Sequence, residues 1–89
     1  MKTVLIDGAA LVSKEQLHHR FACELAFPPH YGGNLDALFD CLCDIAEPVE
    51  IILRNVDALE LRFGGYARAL TQLLHRATLE NPHLTVEIL

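Results

Sequence analysis

The chain has no tryptophan, one methionine and only three cysteines in its 89 residues. An odd number of cysteines with no framework spacing excludes a disulfide-stapled secreted scaffold. Cys41 and Cys43 are two apart, so on a helix they point to different sides and cannot bridge locally. No segment approaches the ~20 consecutive apolar residues that a membrane-spanning helix needs. The opening residues Met1 to Asp7 turn polar too soon for a signal-peptide core. These absences predict a cytoplasmic protein with free thiols.

Positive charge is also scarce. Seven Lys and Arg stand against twelve Asp and Glu, for a net charge of −5. The imbalance is concentrated. Asp36, Asp40, Asp44, Glu47, Glu50, Asp57 and Glu60 face Arg54 alone between residues 36 and 60. Nucleic acid needs a basic patch, so it is not expected as a ligand. A basic protein, found quickly through charge steering, fits better. The usual cofactor signatures are missing too. Gly32-Gly33 has no following Lys-Ser/Thr and Gly64-Gly65 lacks the phosphate-loop spacing. His18 and His19 diverge on a helix, the other histidines are scattered, and Cys41-x-Cys43 is not a zinc hook. No metal, cofactor, membrane or small-molecule substrate is expected.

What is present is apolar material in short, ordered pieces. The hydrophobic fraction is 52%, enough for one domain over residues 1–89 with a real core. Residues 2–6 read as a buried strand ended by Asp7-Gly8. Ser13-Lys14-Glu15-Gln16 has the form of a capping box, which starts a helix at Lys14. Leu17, Phe21, Ala22 and Leu25 give that helix its apolar face, and Pro28-Pro29 stops it. Cys23 and Cys41 read as small core residues.

Asn34 is a good N-cap for a second helix, whose apolar side holds Leu35, Leu38, Phe39, Leu42, Ile45 and Ala46 before Pro48. Residues 49–53 form a second strand. Asn55 is placed to cap a short helix that ends at Gly64-Gly65. A longer helix follows, with Tyr66, Leu70, Leu73, Leu74 and Ala77 inward and Arg68, Gln72 and Arg76 outward. Asn81-Pro82 ends it, and residues 84–89 make a last strand. The order β-α-α-β-α-α-β predicts an α/β fold of two layers. A three-stranded parallel sheet carries the helices on one face if its strands run in sequential order. The other sheet face would then be thinly covered, which is unusual for a parallel sheet.

The functional signal lies in residues 30–44. Gly32-Gly33 permits positive φ or close backbone approach ahead of the second helix. Asp36, Asp40 and Asp44 then recur every fourth residue on its polar side. Like charges at that spacing cost about 0.2–0.5 kcal/mol per pair. Asp36 gains a favourable contact with the helix N-terminus, but Asp40 and Asp44 do not. Their simplest purpose is to meet something positive. An exposed helix face offers no pocket to split two carboxylate pKa values, so acid–base catalysis is disfavoured. The aspartates beside Cys41 would raise its pKa, which disfavours a nucleophilic thiol. His30, Tyr31, Gly32, Gly33, Asn34, Leu35, Asp36, Phe39, Asp40 and Asp44 therefore read as a protein-binding edge rather than an active site.

The segment Tyr31-Gly32-x-Asn34-Leu35-Asp36-Ala37-Leu38-x-Asp40-Cys41-Leu42 resembles the barstar family, intracellular inhibitors of barnase-type ribonucleases. Leu17-His18, Glu24-Leu25-Ala26 and Leu84-Thr85-Val86 extend the likeness over nearly the whole chain. The resemblance implies a basic, extracellular-type ribonuclease as partner and inhibition by plugging its active site. It implies that Asp40 enters where a substrate phosphate would sit, facing Arg, Lys and His groups. Asp36 supports it at the helix start, and Tyr31, Gly32, Asn34 and Leu35 frame the contact. Three positions depart from the family pattern. His30 stands where a tyrosine stacks on the ribonuclease's catalytic histidine, Phe39 replaces a tryptophan, and Arg76 replaces an acidic contact. That reversal implies a partner altered at the same place, or substitution by Glu80. The alternative is an interaction module on the same scaffold that binds a different basic protein. A further alternative, a small carboxylate hydrolase, would show turnover by itself.

Overall fold

A computed structural model describes residues 1–89. Its elements are β1 (Lys2–Asp7), a 3-10 turn (Gly8–Ala10), α1 (Lys14–Leu25), α2 (Leu35–Cys43), β2 (Val49–Arg54), α3 (Val56–Phe63), α4 (Gly65–Glu80) and β3 (Leu84–Ile88). The three strands form one parallel sheet in the order β1-β2-β3. This is the α/β arrangement expected from the alternation of apolar strands and amphipathic helices.

Period-two alternation decides which sheet face is covered. Val4, Ile6, Val49, Ile51, Leu53 and Leu84 point to one side and join the helix residues Leu17, Phe21, Leu38, Leu42, Leu59, Leu70 and Leu74 in a single core. The opposite face is open. Register sets Thr3 beside Glu50 and Leu5 beside Ile52, with Thr85 and Glu87 next in line. Leu5 is 44% exposed there. The sheet is therefore parallel yet covered on one side only, as the sequential strand order implied.

Element ends follow local chemistry, with exceptions. Ser13 Oγ accepts from the Gln16 N–H at 3.1 Å, and Gln16 Oε1 accepts from the Val12 N–H at 3.1 Å, so the capping box closes one residue further back than its usual partner. α1 stops before its prolines, because Ala26 takes the left-handed conformation at φ 55°. Asn55 does not cap α3. It too is left-handed, and its side-chain amide donates instead to Asp7 Oδ1 at 2.8 Å, tying the end of β2 to the end of β1. That bond, with a second from the Ala9 N–H, holds the Asp7 carboxyl below its ordinary pKa. Gly8 sits at this junction because a Cβ there would lie 2.8 Å from the Asn55 carbonyl oxygen.

Candidate functional site

The site is built where α1 hands over to α2. After Ala26 the chain turns on a Tyr31 N–H to Pro28 carbonyl bond of 3.0 Å. Gly33 adopts φ +67°, the left-handed region in which a side chain is strained. Asn34 returns to extended backbone, and its Oδ1 accepts from the Ala37 N–H at 2.8 Å. This is the N-cap that the sequence predicts, and it fixes where α2 begins.

On α2, Leu38 and Leu42 enter the core, while Leu35 and Phe39 are half-buried against it. Asp36, Asp40 and Asp44 are all exposed. The structure's salt bridge is Arg20–Glu24 at 3.4 Å, and none reaches these three carboxylates. Their charges are turned to solvent with no internal cation to meet them.

The helix is shorter than expected. It ends at Cys43, and Asp44 is its C-cap, with its N–H directed at the carbonyls of Asp40 and Cys41. Ile45 and Ala46 lie beyond it. The cause is a distant residue. The buried Asn81 amide donates to the carbonyls of Leu42 at 2.8 Å, Ile45 at 2.9 Å and Cys43 at 3.4 Å. Its Oδ1 accepts from the His83 N–H at 2.9 Å. Asn81 is 3% exposed, so one carboxamide satisfies the carbonyls at the end of α2 away from water.

Between the 27–32 loop and α2 lies a groove of about 470 Å³. Phe27, His30, Tyr31 and Gly32 line one side, and Asp40, Cys41 and Asp44 the other. A flat helix face was expected, but the loop folds beside it and makes a concavity. Gly33, Asn34, Leu35, Asp36, Phe39 and Arg76 lie outside this groove. Phe39 and Arg76 form their own pair, with the guanidinium carbon 4.8 Å from the ring centroid. Arg76 thus rests on an aromatic face rather than on a neighbouring carboxylate.

The thiols of Cys41 and Cys43 are poor nucleophiles. Burial pushes the Cys41 pKa up, and Asp44 and Asp40 add to the effect. Burial and nearby acids, Glu80 foremost, do the same to Cys43. Cys23 is exposed rather than a core residue, with its Sγ 3.4 Å from His19 Nε2.

Sequence reading missed His18. Only 4% exposed, it places Nδ1 2.6 Å from the Tyr31 hydroxyl and Nε2 2.6 Å from the Tyr66 hydroxyl. Burial lowers its pKa and raises that of both tyrosines. The signal was available: residues 18, 21, 22 and 25 follow helical spacing, so His18 falls within the apolar stripe of α1. The anchoring role of Asn81 had no local signal.

Together these features describe a small α/β domain with an acidic, loop-flanked groove beside an exposed helix face. A family model described as Barstar (barnase inhibitor) matches residues 1–88. The Bacillus subtilis (strain 168) protein named "Putative ribonuclease inhibitor YrdF" is 35% identical over 78 residues, which cover 86% of each chain. The chain belongs to the barstar family. At the family level its function is ribonuclease inhibition. No helix is long and apolar enough to cross a membrane.

Proposed function

We propose that this protein is a cytoplasmic antitoxin that inhibits a basic, extracellular-type ribonuclease by stoichiometric occlusion of its active site. The observation that carries this reading is the state of Asp40: exposed, without an ion pair, and at the wall of a groove. A carboxylate in that position mimics the phosphate that a ribonuclease's Arg and Lys side chains grip, and Arg in particular pairs with it in a fork. Asp36 and Asp44 extend the negative potential along α2. His30, Tyr31, Gly32, Gly33, Asn34, Leu35 and Phe39 supply shape around it, with Arg76 at the rim. The accessible surface is 5202 Å², and a standard interface takes about 800 Å² per partner.

The test is titration calorimetry against a panel of barnase-type ribonucleases. Asp40→Ala should weaken binding by at least about 2 kcal/mol, or ~30-fold in Kd, and leave the urea midpoint unchanged. An unaltered Kd would remove Asp40 from the role.

A second reading is a module on the same scaffold whose basic partner is not a ribonuclease. It is favoured by one observation: a fixed cation, Arg76 over Phe39, beside an otherwise acidic helix. Binding of a basic protein with no effect on RNA cleavage by any member of the panel would select it.

A further inference from the structure

The stretch between α1 and α2 has no regular backbone structure, yet it forms one wall of the groove. Its side-chain tethers can be traced. Tyr31 packs on Phe27 with ring centroids 5.0 Å apart, a contact within the loop itself. Its hydroxyl reaches out of the loop to His18 on α1, and through His18 to Tyr66 on α4. Lys14 lies over the Tyr66 ring at 4.3 Å and closes the far end.

A neutral imidazole donates through one nitrogen and accepts at the other. One tyrosine hydroxyl must therefore donate to His18 while the other accepts from it. A bridge of this kind fixes both rings, because either ring can move only by breaking a bond inside a mostly dry pocket. No buried side-chain polar atom is left unpartnered, so the bridge is fully satisfied.

We propose that His18 is a positioning residue for partner recognition: by bridging Tyr31 to Tyr66 it locks the loop wall of the groove against α1 and α4 before any partner arrives. This rests on the ribonuclease-inhibitor reading for the identity of the partner but not for the ordering of the loop. Recognition then begins from a preorganised wall, and the ordering cost is met during folding rather than at binding.

The experiment compares wild type, His18→Phe, His18→Gln and Tyr66→Phe, under conditions where each is fully folded. One readout is amide exchange of residues 31–34 in the free protein. The other is Kd for a barnase-type ribonuclease that the wild type inhibits. His18→Phe should speed exchange in the loop at least tenfold and weaken binding about tenfold. His18→Gln, which keeps a donor and an acceptor, should recover most of both. Tyr66→Phe should weaken binding about threefold and add nothing in the His18→Phe background. A purely structural role would lower the urea midpoint while leaving Kd and loop exchange at wild-type values, and that result overturns the proposal. If His18→Phe does not fold, Tyr66→Phe decides by the same two readouts. If the wild type inhibits no ribonuclease in the panel, the partner assignment fails, and loop exchange in the free variants still decides whether His18 positions the loop.

Discussion

The two ends of α2 are held in different ways. Its start is fixed by neighbours in sequence: Gly33 supplies the left-handed turn and Asn34 accepts from Ala37, three residues on. Its end is fixed by Asn81, which is 39 residues from Leu42 and belongs to the end of α4. The front of the helix is a local device that sets where Asp36 and Asp40 begin. The back is a tertiary clamp that decides where Asp44 and Ile45 leave the helix. A helix can thus be aimed by its own sequence and still depend on a remote side chain for its length.

That contrast can be broken from either end. Asn81→Ala should have the larger effect on stability. It strips the carbonyls of Leu42, Cys43 and Ile45 of a shared donor and should cost about 2–3 kcal/mol, read as a lower urea midpoint. Amide exchange around Asp44 and Ile45 should rise with it. Asn34→Ala should cost less, about 1 kcal/mol, because water can reach the N–H groups it exposes. Its signature should be confined to the first turn of α2. Equal losses from the two substitutions, or fraying at the same end, would erase the distinction.

The smallest effect sharpens the comparison through pH. Both asparagines are indifferent to pH, whereas the loop before Asn34 leans on His18. Burial lowers the His18 pKa, so below about pH 6.5 the unfolded chain binds the proton more readily than the folded one. The stability His18 contributes is complete above about pH 6.5 and is lost as pH falls toward the folded value. The groups facing it are Tyr31 from the loop and Tyr66 from α4, with Lys14 over the Tyr66 ring. Urea midpoints for wild type and His18→Gln, followed from about pH 7.5 to 5.5, should converge at the acidic end. A constant gap would mean that His18 does not titrate in that window.

Much of the fold was legible because its signals are local. Short apolar runs alternate buried and exposed as strands, and the cap residues Ser13 and Asn34 start α1 and α2 where expected. The exposure of Asp36, Asp40 and Asp44 followed from their spacing alone. The less legible parts involve polar side chains that choose between near and distant partners. Asn55 looks like a cap but bonds to Asp7. Asn81 ends α4 as expected, but its side chain is also a clamp on α2. His18 looks like a stray histidine but joins two tyrosines that lie far apart in sequence. The groove belongs to the same group, since its two walls meet only after the loop has folded back beside α2.

The amino-acid sequence by itself determined the β-α-α-β-α-α-β order, the parallel sheet and the acidic row on α2, because periodicity and capping act over a few residues. Only the tertiary structure decided where α2 ends, how the loop is tethered and that Asp40 borders a groove. Those outcomes depend on which polar group is sealed from water beside which other. Buried hydrogen-bonding groups must find partners wherever the packed chain provides them, and that proximity is not written in sequence spacing.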